Sequence, residues 1–550
     1  MGWPALRGRG AAVAAVLLMA FASVPAAFAQ ATPPPAASAL QQNQNQLQQL
    51  NQENAAPKAQ GNVVETAPVQ RAGLPPPGGP KVLVKTVTFE PPSTFLSAAE
   101  LNAIAAKYVG RRLDFSQISA LVRDVNDLYA KKGIVTASAI LPPQQLNSGN
   151  LKVQLVEGKL GNVTISGTHR TKDKYILDRV RLDTNGVVDV PKAAKDITWF
   201  NKTNQAQLRL RLQPGASFGL TDLDLAITEP VPTTLQFFVD NEGVPSTGEL
   251  EYGVYFRAYD QLGIDDDFTL YATDSGGALA GTVSYDAPIS TSGTRLAASY
   301  TRSNITVVNG PTAPLDITGR SQAGSLTVTQ PIIANDDWTV LASLAGSLGT
   351  SISDASAVPL VDTVTRKGAL GVSVSYSKDG NAFNFSPQAI YANSQDNLAG
   401  TSADIWLAAG SASASLALTQ QLSLVAQGAF QYTGTKLLPG DLLFQIGGAS
   451  TVRGYQADAV AGDSGYFGQV ELHRQLDGVM PGLDIYAFTD FGQVFSTFPA
   501  QTTLASVGAG LSWNIQDKAT ADISFGVPVV HALADQPAAA IYARFVAHAF

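Results

Sequence analysis

Hydrophobic and polar residues alternate through most of the chain between residues 231 and 550. In the segment ADISFGVPV, apolar or small side chains occupy every second position: Ala521, Ile523, Phe525, Val527 and Val529. The positions between them begin with Asp522, Ser524 and Gly526. A period of two residues is typical of a β-strand with one apolar and one polar face. Turn-forming clusters separate such segments, and about 16 strands of roughly 10 residues each are predicted.

An even number of strands of this length predicts a transmembrane β-barrel, because about 10 residues cross a bilayer as a tilted strand. A large soluble β-sandwich or a propeller is the alternative, but the sequence has no blade repeat. The last segment, IYARFVAHAF, is less regular, because Tyr542, Val546 and Phe550 share a face with Arg544 and His548. The pattern leaves open which face of that strand meets lipid.

Residues 81–157 have the pattern of a small β-α-α-β-β unit. The spacing of Ser97 and Glu100 predicts a capping box that opens the first helix, which is expected to stop at Gly110. Asp114 caps a second helix, and two alternating segments, IVTASAILPP and LKVQLVEGKL, follow as a hairpin.

The same order of elements recurs once, over residues 158–230. The segment TKDKYILDRVRLD is expected to form its first helix, and Asp189, followed by Val190 and Pro191, starts the second. The segments AQLRLRLQPG and LTDLDLAITEP alternate as a hairpin. The predicted fold is therefore a pair of α+β repeats followed by an all-β transmembrane barrel of about 16 antiparallel strands.

Residues 1–29 have the features of an export signal. Arg7 and Arg9 precede an apolar run over residues 11–22, and residues 27–29 read Ala-Phe-Ala, which fits the cleavage rule. An uncleaved membrane anchor is the alternative, although the apolar run is short for a membrane span. We expect the protein to leave the cytoplasm.

Two polar segments separate the signal from the first folded unit. Residues 30–56 include LQQNQNQLQQLNQ, which either forms one polar helix or is disordered, and the pattern does not decide between the two. Residues 57–80 are rich in Pro and Gly and are interpreted as a linker.

Composition narrows the classes of function. The net charge is −8, which argues against a nucleic-acid-binding protein. Charged residues make up 15% of the chain, below the ~25% of a typical soluble protein. The chain has no cysteine, so disulfides, thiolate metal sites and thiol catalysis are excluded.

The segment GGASTVRGYQ places one arginine, Arg453, among glycines in the long connection that precedes a predicted membrane strand. That strand is followed by LDIYAFTDFGQVF, whose alternation puts Asp490 on the inner wall of the barrel. A carboxylate in a crowded lumen needs a partner, and an arginine can bind it through two parallel hydrogen bonds. We therefore expect the loop around residues 447–462 to fold inward and Arg453 to pair with Asp490.

This arrangement of segments resembles the TpsB transporters of two-partner secretion, of the haemolysin or filamentous-haemagglutinin secretion/activation type. The two β-α-α-β-β units resemble POTRA domains. The V-R-G-Y motif of the family's inward-folded loop is matched by Val452, Arg453, Gly454 and Tyr455. Its F-x-D-x-G partner motif on the barrel wall is matched by Phe488, Asp490 and Gly492. Together and in this order the two motifs are specific, although each alone would be weak.

Other polar features have simpler interpretations. Arg209 and Arg211 lie on one face of a predicted POTRA-like strand, which is either an ordinary solvated face, the favoured interpretation, or a contact with substrate. Residues 265–267 read DDD and are expected to form a solvated turn, because they lack the ligand spacing of a cation site. GDSG at residues 462–465 lacks the partners of a catalytic serine, and the four histidines are scattered.

The resemblance implies an outer-membrane pore in a Gram-negative bacterium, with POTRA domains in the periplasm. It would secrete one partner exoprotein that carries an N-terminal secretion domain. No enzyme activity, cofactor, metal or nucleic-acid partner is expected, and outer-membrane lipid surrounds a monomer or weak dimer. A factor that inserts other barrels, as related Bam and Tam proteins do, is the alternative; those proteins typically carry more than two POTRA units.

Overall fold

The computed structural model describes residues 42, 43, 46, 47, 50, 63–66, 75–184, 186–495, 501–534 and 536–549. The predicted signal over residues 1–29 lies outside this set, as do most of the polar segments that follow it. Within the predicted linker the chain forms one short strand, β1 (Val64–Thr66).

The first folded unit follows the predicted order of elements. Its elements are β2 (Val82–Leu83), β3 (Thr86–Glu90), α1 (Ala98–Ala105), β4 (Arg112–Leu113), α2 (Phe115–Lys131), β5 (Ala137–Ile140) and β6 (Asn150–Glu157). Both predicted capping boxes form, at Ser97 and at Asp114. The prediction for the end of α1 was wrong, because the helix stops at Ala105 and the chain reaches Gly110 through turns. Both helices pack on the sheet β3-β6-β5.

The second folded unit has a larger sheet and a shorter first helix. Its elements are β7 (Lys159–Ser166), α3 (Asp173–Leu177), β8 (Asp183–Thr184), β9 (Val187–Val188), α4 (Val190–Thr203), β10 (Gln207–Pro214) and β11 (Leu220–Thr228). The helix expected over TKDKYILDRVRLD covers only the five residues of α3. The sheet has the order β1-β10-β11-β7-β9-β8, so β1 from the linker covers the edge of β10.

Sixteen antiparallel strands close into a barrel, as predicted. They are β12 (Thr233–Asp240), β13 (Glu251–Tyr259), β14 (Asp267–Ser275), β15 (Ala278–Pro288), β16 (Arg295–Thr306), β17 (Ile317–Ala334), β18 (Trp338–Ala355), β19 (Val358–Lys378), β20 (Asn381–Asp396), β21 (Thr401–Ala417), β22 (Leu422–Tyr432), β25 (Ser464–Gln475), β26 (Leu483–Phe495), β27 (Thr502–Ile515), β28 (Ala519–Pro528) and β29 (Ala540–His548). Strands β23 (Phe444–Ile446) and β24 (Val460–Gly462) belong to the loop between β22 and β25. Single-turn 3-10 helices occupy Ala313–Leu315 and Gly440–Leu442.

The two faces of the strands follow the predicted alternation. On β28, Ile523 and Phe525 are each 47% exposed on the outside, and Ser524 between them is buried. On β29, Tyr542, Arg544 and Val546 are buried, so the face that the sequence left undecided is the lumen face.

Strand length departs from the prediction on one side of the barrel. Strands β17 to β21 contain 16 to 21 residues, whereas about 10 were expected. Their alternation continues past the length that a bilayer requires. In the part of the chain that the structure describes, no helix is both long and apolar enough to cross a membrane.

The first two residues of DDD are buried, so the prediction of a solvated turn was wrong for them. Asp265 and Asp266 are both 0% exposed. The turn lies against the second folded unit, and that contact removes it from water.

Candidate functional site

The lumen of the barrel brings together the two sequence motifs. On β26, Phe488 and Asp490 point inward and are 5% and 0% exposed. The same alternation places Ile485 outward, with 40% exposure. Asp490 is therefore an ionisable group inside a protein wall, where it requires a partner.

The connection between β22 and β25, residues 433–463, is called here the inward loop. Its strands β23 and β24 pair with each other. Its apolar side chains pack against Val494 and Leu504 of the wall, and they are Phe444, Ile446, Val452, Tyr455 and Val460. This packing draws the tip of the loop into the lumen.

Gly454 allows the loop backbone to approach the wall closely. Its φ of +90° is a conformation that residues with a Cβ rarely adopt. A Cβ at the facing Gly526 would lie 2.7 Å from the Gly454 nitrogen. That nitrogen donates to the Tyr542 hydroxyl at 3.0 Å, and the same hydroxyl donates to the Tyr455 carbonyl at 2.6 Å. The V-R-G-Y segment is thus fixed at the wall by its backbone.

Arg453 makes a bidentate ion pair with Asp490. Its Nε donates to Asp490 Oδ2 at 2.7 Å, and its Nη2 donates to Oδ1 at 2.8 Å. The Arg453 backbone nitrogen also donates to Oδ2, at 3.0 Å. The guanidinium carbon lies 3.5 Å from the centre of the Phe488 ring. A lysine could supply neither the planar fork nor the stacking contact.

A third residue, Glu471 on β25, completes the site. Arg453 Nη1 lies 2.6 Å from Glu471 Oε1, so one buried cation contacts two carboxylates. Glu471 in turn contacts His473 at 2.8 Å, and His473 contacts Asp484 at 3.1 Å. The polar chain therefore extends from the tip of the loop to the start of β26.

A second segment enters the lumen from the N-terminal part of the chain. Gln42, Asn43, Gln46, Leu47 and Leu50 have helical conformation and are called here the lumen segment. Their spacing of three and four residues places them on one face of a helix. Leu47 and Leu50 pack against four wall residues, which are Phe238, Tyr255, Tyr271 and Val546.

Two amides of the lumen segment have both a donor and an acceptor partner on the wall. Gln46 donates to Glu251 at 2.8 Å and accepts from the Tyr271 hydroxyl at 2.8 Å. Asn43 donates to Thr273 at 3.4 Å and accepts from Thr282 at 2.8 Å. Gln42 and Gln46 also line a cleft whose other wall is the inward loop. The lumen segment and the inward loop are therefore neighbours.

The edge of the second folded unit contains the two arginines singled out in the sequence. Strand β1 pairs in parallel with β10, and Glu65 lies opposite Arg211. Glu65 contacts Arg211 at 3.0 Å and Arg209 at 3.3 Å. Hydrogen bonds from Arg211 and then Arg209 lower the pKa of Glu65 below its usual value. The two arginines are thus partnered by the linker strand, and both remain about half exposed.

Two family models match the chain in the regions just described. A model of the ShlB-type POTRA domain matches residues 82–158, which form the first folded unit. A model of the haemolysin secretion/activation protein ShlB/FhaC/HecB matches residues 351–513, which include both lumen motifs. Over these two regions the chain is similar to the haemolysin secretion/activation protein family. The resemblance to TpsB transporters is confirmed, as is the fold of an N-terminal POTRA region followed by a 16-stranded barrel.

Curated proteins similar to this chain are transporters. The outer membrane transporter CdiB of Dickeya dadantii is 23% identical over 509 residues, which cover 88% of each chain. The heme/hemopexin transporter protein HuxB of Haemophilus influenzae is 22% identical and covers 78% of this chain and 80% of its own. The solved structure of CdiB from Escherichia coli has the same fold, with a TM-score of 0.68 at 18% identity, and covers 95% of this chain and 100% of its own.

The likeness to outer membrane transporters and to a POTRA domain gives the molecule an orientation. The barrel lies in the outer membrane, and the POTRA units lie in the periplasm. Barrel turns that contact the second unit, such as residues 260–266, are therefore periplasmic, and the inward loop enters the lumen from the extracellular side.

Sequence reasoning paired Arg453 with Asp490 but missed Glu471 and His473. A usable signal was present, because Gln469, Glu471 and His473 share one parity of β25 while Val470 and Leu472 share the other. The same argument that placed Asp490 inside would have placed Glu471 inside. The linker strand β1 had no comparable signal, since its three residues do not form a pattern.

Proposed function

We propose that this protein secretes one partner exoprotein, which it recognises in the periplasm through its POTRA units. The observation that carries this proposal is the occupation of the lumen by two separate segments. Neither is a strand of the barrel sheet: the lumen segment is held by side-chain contacts, and the inward loop also by hydrogen bonds from its backbone to wall side chains. The lumen segment can leave while the 16-stranded wall stays closed and the inward loop stays docked, which would give an unfolded chain a path.

Capture of the substrate is assigned to the edge of β10. An extended chain binds a sheet edge through backbone hydrogen bonds, and side chains on the strand add specificity. Arg209 and Arg211 would supply that specificity. The edge is covered by only three residues, Val64–Thr66, so a substrate strand would displace β1. The sequence around β1 is rich in Pro and Gly, as in a linker, so displacement of β1 would disturb little other structure.

The energy for export would come from the substrate. The sequence contains no nucleotide-binding motif. A chain that enters the pore unfolded and folds outside cannot return, so folding itself would drive transport. The partner would be an exported protein with an N-terminal secretion domain.

The proposal is tested by reconstituting export in an outer membrane. The protein is produced together with a large exported protein encoded beside it that carries an N-terminal secretion domain. We expect that partner in the medium, and its retention in the periplasm when the transporter is omitted. If the partner stays in the periplasm and the amounts of other outer-membrane barrels fall on omission, barrel insertion replaces secretion as the function.

Reversing the charge of Glu65 should expose the β10 edge. In Glu65→Lys, the new cation repels Arg209 and Arg211, so we expect the secretion domain to bind about two- to fivefold more tightly. Replacing Arg209 and Arg211 together with alanine should weaken that binding. Both effects are measured by calorimetric titration of the secretion domain into the detergent-solubilised protein.

Asp178→Lys is the matched control for Glu65→Lys. Asp178 lies on the same unit, away from β10, and pairs with Lys174 at 2.9 Å. Its reversal should leave the affinity unchanged. Equal affinities for the Glu65→Lys variant and the unmodified protein would contradict a competition between β1 and the substrate.

A further inference from the structure

The first periplasmic turn of the barrel, residues 260–266, contains three buried carboxylates, Asp260, Asp265 and Asp266. Asp265 and Asp266 are equally inaccessible, but they face different parts of the molecule. Asp266 accepts from the Leu262 nitrogen at 2.8 Å and from the Tyr285 hydroxyl at 2.9 Å, both within the barrel. Asp265 faces the second POTRA unit. The two neighbours therefore provide an internal comparison.

Asp265 joins the barrel to the second POTRA unit through a full set of donors. From the POTRA unit it accepts from the backbone nitrogens of Gln205 and Ala206, at 2.9 and 3.1 Å. From the barrel it accepts from the Tyr259 hydroxyl at 2.8 Å and from Arg295 Nη1 at 2.9 Å. A buried carboxylate with these partners has one stable position, because separation of the two parts would leave its charge without the POTRA donors.

The two POTRA donors lie at the start of the edge strand. Gln205 and Ala206 directly precede β10, which begins at Gln207. The Gln205 side chain also donates to Asp267 at 2.7 Å and contacts Arg257. The barrel thus holds the chain directly before the first residue of β10.

Further contacts of the junction lie at two other periplasmic turns of the barrel. Arg179 donates to the Ser290 carbonyl at 2.7 Å, and Trp199 donates to the Ser292 carbonyl at 3.1 Å. Thr198 lies 3.3 Å from Asp336. These contacts place α4 and the residues after α3 under the turns β15–β16 and β17–β18. Asp260 adds a buried charged contact, because it accepts from Thr171 Oγ1 at 2.8 Å. Asp265 differs from Asp260 in that it binds the start of β10.

We propose that Asp265 is a positioning residue for export. It fixes the start of β10 at the pore mouth, so that a segment captured on the β10 edge reaches the lumen in one orientation. This role rests on the proposed secretion function, since export is one of its measured outcomes. It does not require Asp265 to touch the substrate.

The test compares Asp265→Asn with Asp266→Asn in the full chain. In Asp265→Asn, the negative charge shared by the POTRA donors and Arg295 is lost, and the amide nitrogen takes the place of one acceptor oxygen. Arg295 keeps its contact with Asp286, so the barrel wall retains its ion pair. Asp266→Asn makes the same change at the same burial but touches no residue of the POTRA unit. Heat-modifiable electrophoretic mobility verifies that both barrels fold.

Two measurements distinguish a positioning role of Asp265 from a general loss of folded structure. The chain has no cysteine, so spin labels can be attached at Lys195→Cys on α4 and Lys518→Cys on a barrel turn, both exposed. We expect Asp265→Asn to broaden the distance distribution between the labels and to reduce export at least about tenfold, as loss of a charged hydrogen-bond set implies. Asp266→Asn should change neither.

A cross-link provides the rescue. Cysteines at Thr198 and Asp336, whose side chains are in contact, should form a disulfide that holds the unit in place. In the Asp265→Asn background we expect this disulfide to restore the narrow distance distribution and export.

Three outcomes would each overturn the proposal. They are a narrow distance distribution in Asp265→Asn, normal export by a variant with a broad distribution, and no rescue by the disulfide. Absence of export by the unmodified protein would instead count against the proposed function, and the distance measurement would still report on Asp265.

Discussion

Replacing Arg453 with alanine will leave the barrel folded in the outer membrane and abolish most export. The change removes the cation from two buried carboxylates, Asp490 and Glu471, which are left without their partner. Breaking a buried ion pair from one side costs about 3–5 kcal/mol, enough to shift the docked loop toward undocked states by a factor of a hundred or more. The wall itself keeps its strand pairing. Export of the partner and heat-modifiable mobility are measured together.

Companion variants identify the contact that matters. Asp490→Ala and Glu471→Ala should each reduce export. The double variant with Arg453→Ala and Asp490→Ala should lose less export than the two single losses added together. Arg453→Lys should be impaired, because it retains the charge without the fork. Arg474→Ala is the control, since Arg474 lies three residues beyond Glu471 but is exposed. Normal export by both Arg453→Ala and Asp490→Ala would refute the role of this pair.

Replacing Leu50 with aspartate will open the pore to ions. Leu50 is 1% exposed and packs among the aromatic rings of Phe238, Tyr255 and Tyr271. An unpaired carboxylate in that position costs several kcal/mol, more than the hydrogen bonds of Gln46 and Asn43 can offset. We expect the lumen segment to leave and single-channel conductance in planar bilayers to rise several-fold.

Leu50→Met is the matched control for this change. It preserves volume and apolar character and should cost less than about 1.5 kcal/mol, so the conductance should stay near that of the unmodified protein. Both variants must show the mobility of a folded barrel. If Leu50→Asp conducts no better than Leu50→Met, the lumen segment does not block ions.

Local patterns account for the part of the fold that the sequence predicted. The capping hydrogen bonds of Ser97 and Asp114 are formed within four residues, so the local sequence is enough to predict where the two helices start. Alternation on β26 and β28 reports the two faces of a strand directly, because each residue has only two directions in which to point. The inward direction of Asp490 follows from that rule, and its need for a cation follows from burial.

Alternation gives the direction of a side chain but not its neighbours. Glu471 could be placed inside by the same rule, yet its contact with Arg453 depends on how far the inward loop descends. The burial of Asp265 depends on docking of a separate unit 60 residues away in sequence. A DDD turn is solvated wherever nothing packs on it, so its own residues predict solvent exposure and contain no signal for the burial that docking produces.

The sequence by itself determined the two POTRA units, the 16 strands and their faces, and the arginine–carboxylate motif pair. These depend on residue spacing within a turn or a strand, and a short window of sequence contains that spacing. Only the tertiary structure decided that β1 covers β10, that the lumen segment lies among Tyr271 and Glu251, and that Asp265 holds the second unit to the barrel. Each of these contacts joins residues far apart in the chain, and the energy that selects them arises only when folded surfaces meet and exclude water.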